Sequence, residues 1–298
     1  MQKIFVILGQ TATGKSALAV SLAKKINGEI ISADSRQVYK NLDIGTGKIT
    51  PNERVLRTGQ AKKEYVFTHK NIPHYLIDVA SPKKKFTVAE YQKLAISAMA
   101  DILTRGKIPI ICGGTGFYID ATTKGIVFPE VPPNFKLRKK LVLLSAIALF
   151  NTLKKLDPAR AKNIKEKNEQ NNKVRLVRAI EIAKALGKVP PITQDSPVYK
   201  FIKIGLYLPE DKLKKKIEIR VKKMFKDGLL NEIKKLKRSG VSDKRLKELG
   251  FEYYKPTPEK VIAETLKYAK RQMTWFKRDK EIKWFDASKN YRDIINRL

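Results

Sequence analysis

The chain has 298 residues, 42% of them apolar, which is enough for one large α/β core with an appendage. Its 63 Lys and Arg against 29 Asp and Glu leave a net charge of +34, far beyond what solubility requires, and imply a polyanionic partner, nucleic acid first. One cysteine excludes an internal disulfide, and only two histidines beside it leave no zinc constellation; Leu141 to Phe150, an apolar stretch, is about half a membrane span, so a cytoplasmic protein with no membrane partner is expected.

In chain order, the apolar run Ile4 to Leu8 predicts a strand, Lys15 to Ile26 a helix, and Glu29 to Ala33 a second strand with Asp34 at its carboxyl end. Tyr75 to Val79, carrying Asp78, is a further strand candidate; a helix over Thr87 to Arg105 and a strand over Ile108 to Cys112 follow, leading into Gly113 and Gly114. Strands alternating with helices predict a doubly wound parallel sheet with ligands at the carboxyl ends of its strands, where Gly9, Asp34 and Gly113 should converge. From about Gly125 the texture changes. Pro129, Pro132 and Pro133 break the pattern, and helical segments run on through Gly187, which predicts an inserted all-helical subdomain over 125–199 within a core formed by 1–124 and 200–298. Phe201 to Leu208 reads as a returning strand, followed by helices and a short strand at Lys283 to Phe285.

Gly9, Gln10, Thr11, Ala12, Thr13, Gly14, Lys15 and Ser16 spell the G-x-x-x-x-G-K-[ST] phosphate loop between strand and helix. Its glycines let successive backbone N–H groups turn toward phosphate oxygens, Lys15 adds a point charge, and Ser16 is the expected Mg²⁺ ligand. Asp34 fits a Mg²⁺ carboxylate, a general base or a cap for the segment Ser35 to Lys40. Arg36 and Gln37 either read a base edge or lie on a solvated face. Arg220 lies on or beside the apolar stripe of Leu213, Ile217, Val221 and Met224, so it pairs with a core carboxylate or points at bound phosphate. Arg175 and Arg178 share one side of a helix, as ion-pair partners or as a phosphate clamp. Near the end, Lys270 with Lys277 and Arg271 with Arg278 form a cationic stripe suited to backbone phosphates, while Tyr268, Gln272 and Trp275 share another face.

The phosphate loop, the run from Asp34 to Lys48, Ile72 to Asp78, Gly113 to Tyr118, Arg175 to Glu181 and Ala269 to Trp275 together resemble the tRNA dimethylallyltransferases, and these motifs span nearly the whole chain. The resemblance implies a P-loop kinase-like fold that transfers a dimethylallyl group from dimethylallyl diphosphate to N6 of adenosine 37 beside the tRNA anticodon, with Mg²⁺, releasing pyrophosphate. Asp34 then matches the general base, Thr13 to Ser16 the diphosphate cradle, and Arg220 the arginine that assists the leaving group. The implied tRNA contacts comprise Asp34, Ser35, Arg36 and Gln37, Thr115, Arg138, and the run Val174, Arg175, Leu176, Val177 and Arg178. They extend to Leu246, Lys247, Glu248, Leu249, Gly250 and Phe251, and to Thr265 through Lys270, Arg271 and Gln272. The partners expected are the anticodon stem-loop and the prenyl donor, with the enzyme a monomer. A nucleotide or small-molecule kinase shares the loop but needs no polyanion; a GTP-driven switch is disfavoured because no Asn-Lys-x-Asp guanine signature occurs.

Overall fold

The computed structural model describes residues 2–49, 53–58, 63–191, 193, 199–289 and 294–295. By its internal contacts the chain divides into two units, one formed by Met1–Gly125 with Ser196–Leu298 and the other by Ile126–Asp195.

The first unit is built on an eight-stranded sheet. Strand β1 (Lys3–Gly9) leads to α1 (Lys15–Ile26) and β2 (Gly28–Ser32). Next come β3 (Glu53–Thr58), β4 (Lys63–His69) and β5 (Ile72–Tyr75), then α2 (Val88–Thr104), β6 (Ile108–Cys112) and α3 (Gly116–Thr123). In the second unit lie α4 (Phe135–Leu141), α5 (Ala146–Leu156), α6 (Pro158–Glu166) and α7 (Lys173–Leu186). The chain returns to the sheet as β7 (Lys200–Tyr207), and continues through α8 (Glu210–Lys226), α9 (Leu229–Arg238), α10 (Asp243–Leu249) and α11 (Pro258–Phe276) to β8 (Lys283–Asp286).

The strand order is β3-β4-β5-β2-β6-β1-β7-β8, and every pairing from β5 to β8 is parallel. β1 is therefore central. Its side chains alternate between two cores, Ile4, Val6 and Leu8 packing with α2, α3 and α9 on one face, Phe5 and Ile7 with α1 and α8 on the other. Burial on both faces explains why β1 and β6 read as continuous apolar runs. Start signals are local: Thr87 and Glu90 form a capping box on α2, and Thr257 caps α11.

Two expectations need correction. The strand anticipated over Tyr75 to Val79 ends at Tyr75, because Leu76 and Asp78 adopt φ of 62° and 59°, left-handed values that a strand cannot hold. Asp78 instead turns its carboxylate to the Lys48 ammonium at 2.6 Å, and β5 takes up the preceding residues. The antiparallel pair β3 and β4, which extends the sheet at one edge, was not anticipated at all. Among the described residues, no helix is long and apolar enough to cross a membrane.

The second unit has its own small core, Leu149, Leu153, Ile164, Leu176 and Ile180. The apolar stretch Leu141 to Phe150 is split by that packing: Leu141 and Leu149 are buried, whereas Leu143 and Ile147 are 83% and 72% exposed.

Candidate active site

The junctions that follow β1, β2 and β6 meet at the carboxyl end of the sheet, the first and third leading into helices. Residues 9–16 connect β1 to α1, whose first turn is preceded by Gly14 at φ 86° with no side-chain cap, so the helix's leading N–H groups are left for a ligand. Inside the loop, Thr13 Oγ1 donates to the Gln10 carbonyl at 2.8 Å and Lys15 Nζ to the same oxygen at 2.6 Å. Gln272 of α11 joins this loop to the third junction: its Oε1 accepts from Thr11 N at 2.8 Å, and its Nε2 donates to the Gly114 carbonyl at 2.9 Å. A Cβ at Gly114 would stand 2.2 Å from that Nε2, so only glycine admits the tie.

Asp34 follows β2. The segment Ser35 to Lys40 forms turns rather than a helix, and Asp34 Oδ1 closes them by accepting from Arg36 N at 2.8 Å and Gln37 N at 3.3 Å. Among the described residues, only Oδ1 is so engaged. Thr115 Oγ1 accepts from Ser35 N at 3.0 Å, fixing the turn to the third junction. The carboxylate lines a cavity of about 430 Å³ together with Lys15, Ser16, Gly113, Arg220 and Tyr268. Arg220 enters from α8, donating through Nη2 to the Thr46 carbonyl at 2.8 Å and through Nη1 to Thr11 Oγ1 at 3.2 Å.

Burial pulls the Lys15 ammonium down to about 8, with Arg220 adding repulsion and Asp34 opposing it. Burial likewise lowers Arg220, against the attraction of Asp34. Neither cation has a carboxylate within ion-pair distance among the described residues. Two partly desolvated cations beside a phosphate loop therefore await an anion. Lys216 and Lys223 also line the cavity without having been expected there; their spacing around Arg220, four before and three after on α8, is the signal that marks them.

The stretches tied to tRNA by resemblance separate into exposed and internal residues. Val174, Lys247, Lys270 and Arg271 are exposed, whereas Leu176, Leu246, Leu249, Gly250 and Gln272 are buried, the three leucines in the cores and Gln272 against the phosphate loop. Thr265 is buried too, its Oγ1 donating back to the Val261 carbonyl. Arg36 pairs with Glu252 at 3.0 Å and lies 5.9 Å from the Phe251 ring centroid; Gln37 lines the cavity. In the helical unit, Arg138 and Arg178 both grip Glu181, whose carboxyl is held near 2 by these guanidinium hydrogen bonds despite its burial, and Arg175 pairs with Glu169. Ion pairing is thus the use the structure gives Arg175 and Arg178, for which a phosphate clamp was the alternative, and Arg138 shares the same acid as Arg178.

The model of the IPP transferase family matches residues 37–279. A tRNA dimethylallyltransferase of Halothermothrix orenii is 38% identical over 319 residues, covering 99% of this chain and 91% of that protein; one from Crocosphaera subtropica is 39% identical over 96% of this chain and 92% of its own length. Among solved structures, the full-length tRNA isopentenylpyrophosphate transferase of Bacillus halodurans superposes with a TM-score of 0.69 at 32% identity, covering 100% of this chain and 94% of that one. A eukaryotic dimethylallyltransferase captured acting on tRNA gives 0.75 at 27% identity, over 96% of this chain and 74% of that one. Agreement in sequence over nearly its full length and in fold means that this chain belongs to the IPP transferase family.

Proposed function

We propose that the protein is a tRNA dimethylallyltransferase, moving the dimethylallyl group of dimethylallyl diphosphate to N6 of adenosine 37 and releasing pyrophosphate. The observation that carries this reading is the pairing, in one cavity, of cations that have no counter-ion among the described residues with a carboxylate that keeps one oxygen free of donors from those residues. The exocyclic N6 is a poor nucleophile because its lone pair is delocalised into the ring. As the new C–N bond forms and the donor's C–O bond breaks, Asp34 accepts the N6 proton. Negative charge grows on the departing diphosphate, where the loop amides, Lys15 and Arg220 stand preorganised to stabilise it. The target base must leave its stack to reach the cavity.

A divalent cation fits this site through oxygen donors. Ser16 is exposed and lines the cavity, and no cluster of three His, Cys, Asp or Glu occurs among the described residues, so Ser16 and the diphosphate itself would hold Mg²⁺. When bound, it neutralises charge on the leaving group. Lys247, Lys270 and Arg271, with the exposed cations of the helical unit, supply contacts to the tRNA backbone.

The test is to incubate the full chain with dimethylallyl diphosphate, Mg²⁺ and an anticodon stem-loop bearing adenosines at 36 and 37, and to weigh the RNA. Addition of one dimethylallyl group is expected. Asp34→Asn preserves an acceptor for Arg36 N and Gln37 N but not the base, and should lower kcat about 10³-fold with tRNA affinity within a few-fold. Near-normal turnover of that variant would remove Asp34 from the chemistry, and γ-phosphate transfer from ATP without prenyl transfer would favour a kinase.

A further inference from the structure

The wall against which Arg220 lies is the loop between β2 and β3. Its turns close on themselves: Thr46 Oγ1 donates to the Leu42 carbonyl at 2.6 Å, Gly47 N to Ile44 O at 3.0 Å and Lys48 N to Asp43 O at 2.9 Å. One acid gathers this loop from the other element. Glu232, on α9 and 9% exposed, accepts through Oε2 from Asp43 N at 2.9 Å and Ile44 N at 2.7 Å, and through Oε1 from Gly45 N at 3.1 Å and Tyr253 Oη at 3.0 Å. Three successive backbone amides converging on one anion form a nest, and four donors fill the acceptor sites of the carboxylate.

Immediately beyond the nest, the Thr46 carbonyl receives Arg220 Nη2. Gly47, at φ 59°, leaves the guanidinium room to approach: a Cβ there would stand 2.3 Å from Nη2. Arg220 then reaches Thr11 Oγ1 of the phosphate loop. Hydrogen bonds to the amides of 43–45, the short backbone step from Gly45 to the Thr46 carbonyl, and the Arg220 bonds thus link Glu232 to the cavity without Glu232 lining it.

We propose that Glu232 is a positioning residue for the leaving group: by holding the amides of Asp43, Ile44 and Gly45 it fixes the Thr46 carbonyl, and through it the direction of the Arg220 guanidinium. The inference rests on reading the cavity as the diphosphate site. A carboxylate that merely glued α9 to the loop would affect stability, but its removal would cost the same in ligand affinity whether or not Arg220 were present. A positioning residue acts only through the group it positions.

The experiment is a double-mutant cycle on the full chain, with inorganic pyrophosphate and Mg²⁺ as the probe in calorimetric titrations. Glu232→Gln keeps the side chain's shape while replacing acceptor sites by N–H donors that face backbone amides. It should weaken pyrophosphate about tenfold in the otherwise native chain and less than twofold in Arg220→Met. Glu232→Asp, which retains both oxygens on a shorter arm, gives a milder version of the cycle, about threefold and again confined to chains with Arg220, should Gln unfold the protein. Equal losses in both backgrounds, or no loss in either, overturn the proposal. Failure of the native chain itself to bind pyrophosphate would instead overturn the diphosphate reading, a result that the cycle separates from the first.

Discussion

The two ends of the parallel sheet treat charge in opposite ways. At the amino-terminal end, the Glu29 carboxylate on β2 is fully buried but saturated: Arg105 grips it at 2.8 and 2.7 Å, Lys107 Nζ lies at 2.8 Å and Tyr75 Oη at 2.6 Å. At the carboxyl end, Lys15 and Arg220 are drawn out of water with no acid within ion-pair reach among the described residues. Both ends pay desolvation. Only the first recovers it within the chain, so its charges stabilise the fold, while those of the second are held for a ligand. A buried charge signals function when its partner is missing, not when it is merely buried.

The sharpest way to break this contrast is Glu29→Ala. Lys107 would lose its counter-ion while Arg105 keeps Asp101 at 2.8 Å, and both cations are about a third exposed and can regain water, so the loss should sit near the low end of the range for broken buried pairs, about 3 kcal/mol. Denaturant unfolding measures it. Prenyl transfer per folded molecule should not change; a fall in turnover would mean that the two ends are coupled after all.

A smaller effect tests the unpaired end. With Lys15 held near 8, its ammonium is charged below that pH and neutral above it, and a bound diphosphate raises the value by favouring the charged form. Donor affinity should therefore be level below pH 8 and fall by up to tenfold per pH unit above it. The donor's own last ionisation, near 6 for a phosphate ester, is complete by then and contributes no slope. A KM for dimethylallyl diphosphate that stays flat from pH 7 to 9.5 would show that Lys15 keeps its proton without help from the ligand.

How far the sequence reveals this arrangement depends on chain distance. β1, the phosphate loop and α1 are legible because their signals are contiguous: an apolar run, a spaced pair of glycines, then Lys15 and Ser16. Asp34 is legible as a strand-end carboxylate, and Arg220 as a cation beside an apolar stripe. What stays hidden is partnership. Nothing near Lys48 marks it for Asp78, nothing near Arg36 marks it for Glu252, and Glu232 reads as one more charge on a basic amphipathic helix until the loop at 43–45 folds against it. The tRNA stretches carried over by resemblance come as runs, and a run on a helix always includes residues that face the core, as Leu246 and Leu249 do beside exposed Lys247.

The exposed stripe of α11 extends the contrast from the cavity to the surface. Gln272 turns inward to the phosphate loop, while its neighbours Lys270 and Arg271 turn to solvent, and Lys270 has no carboxylate partner among the described residues. A surface lysine without a partner adds almost nothing to stability, so Lys270→Ala should leave unfolding unchanged within about 0.5 kcal/mol. If the stripe meets phosphates, the same change removes one released counter-ion, and the slope of log affinity for tRNA against log salt should flatten by about 0.7 to 0.9. Adding Arg271→Ala should double that flattening, since each contact counts separately. An unchanged slope in the double variant would place the RNA elsewhere on this basic surface and leave Gln272 and Tyr268 as the links of α11 to the chemistry.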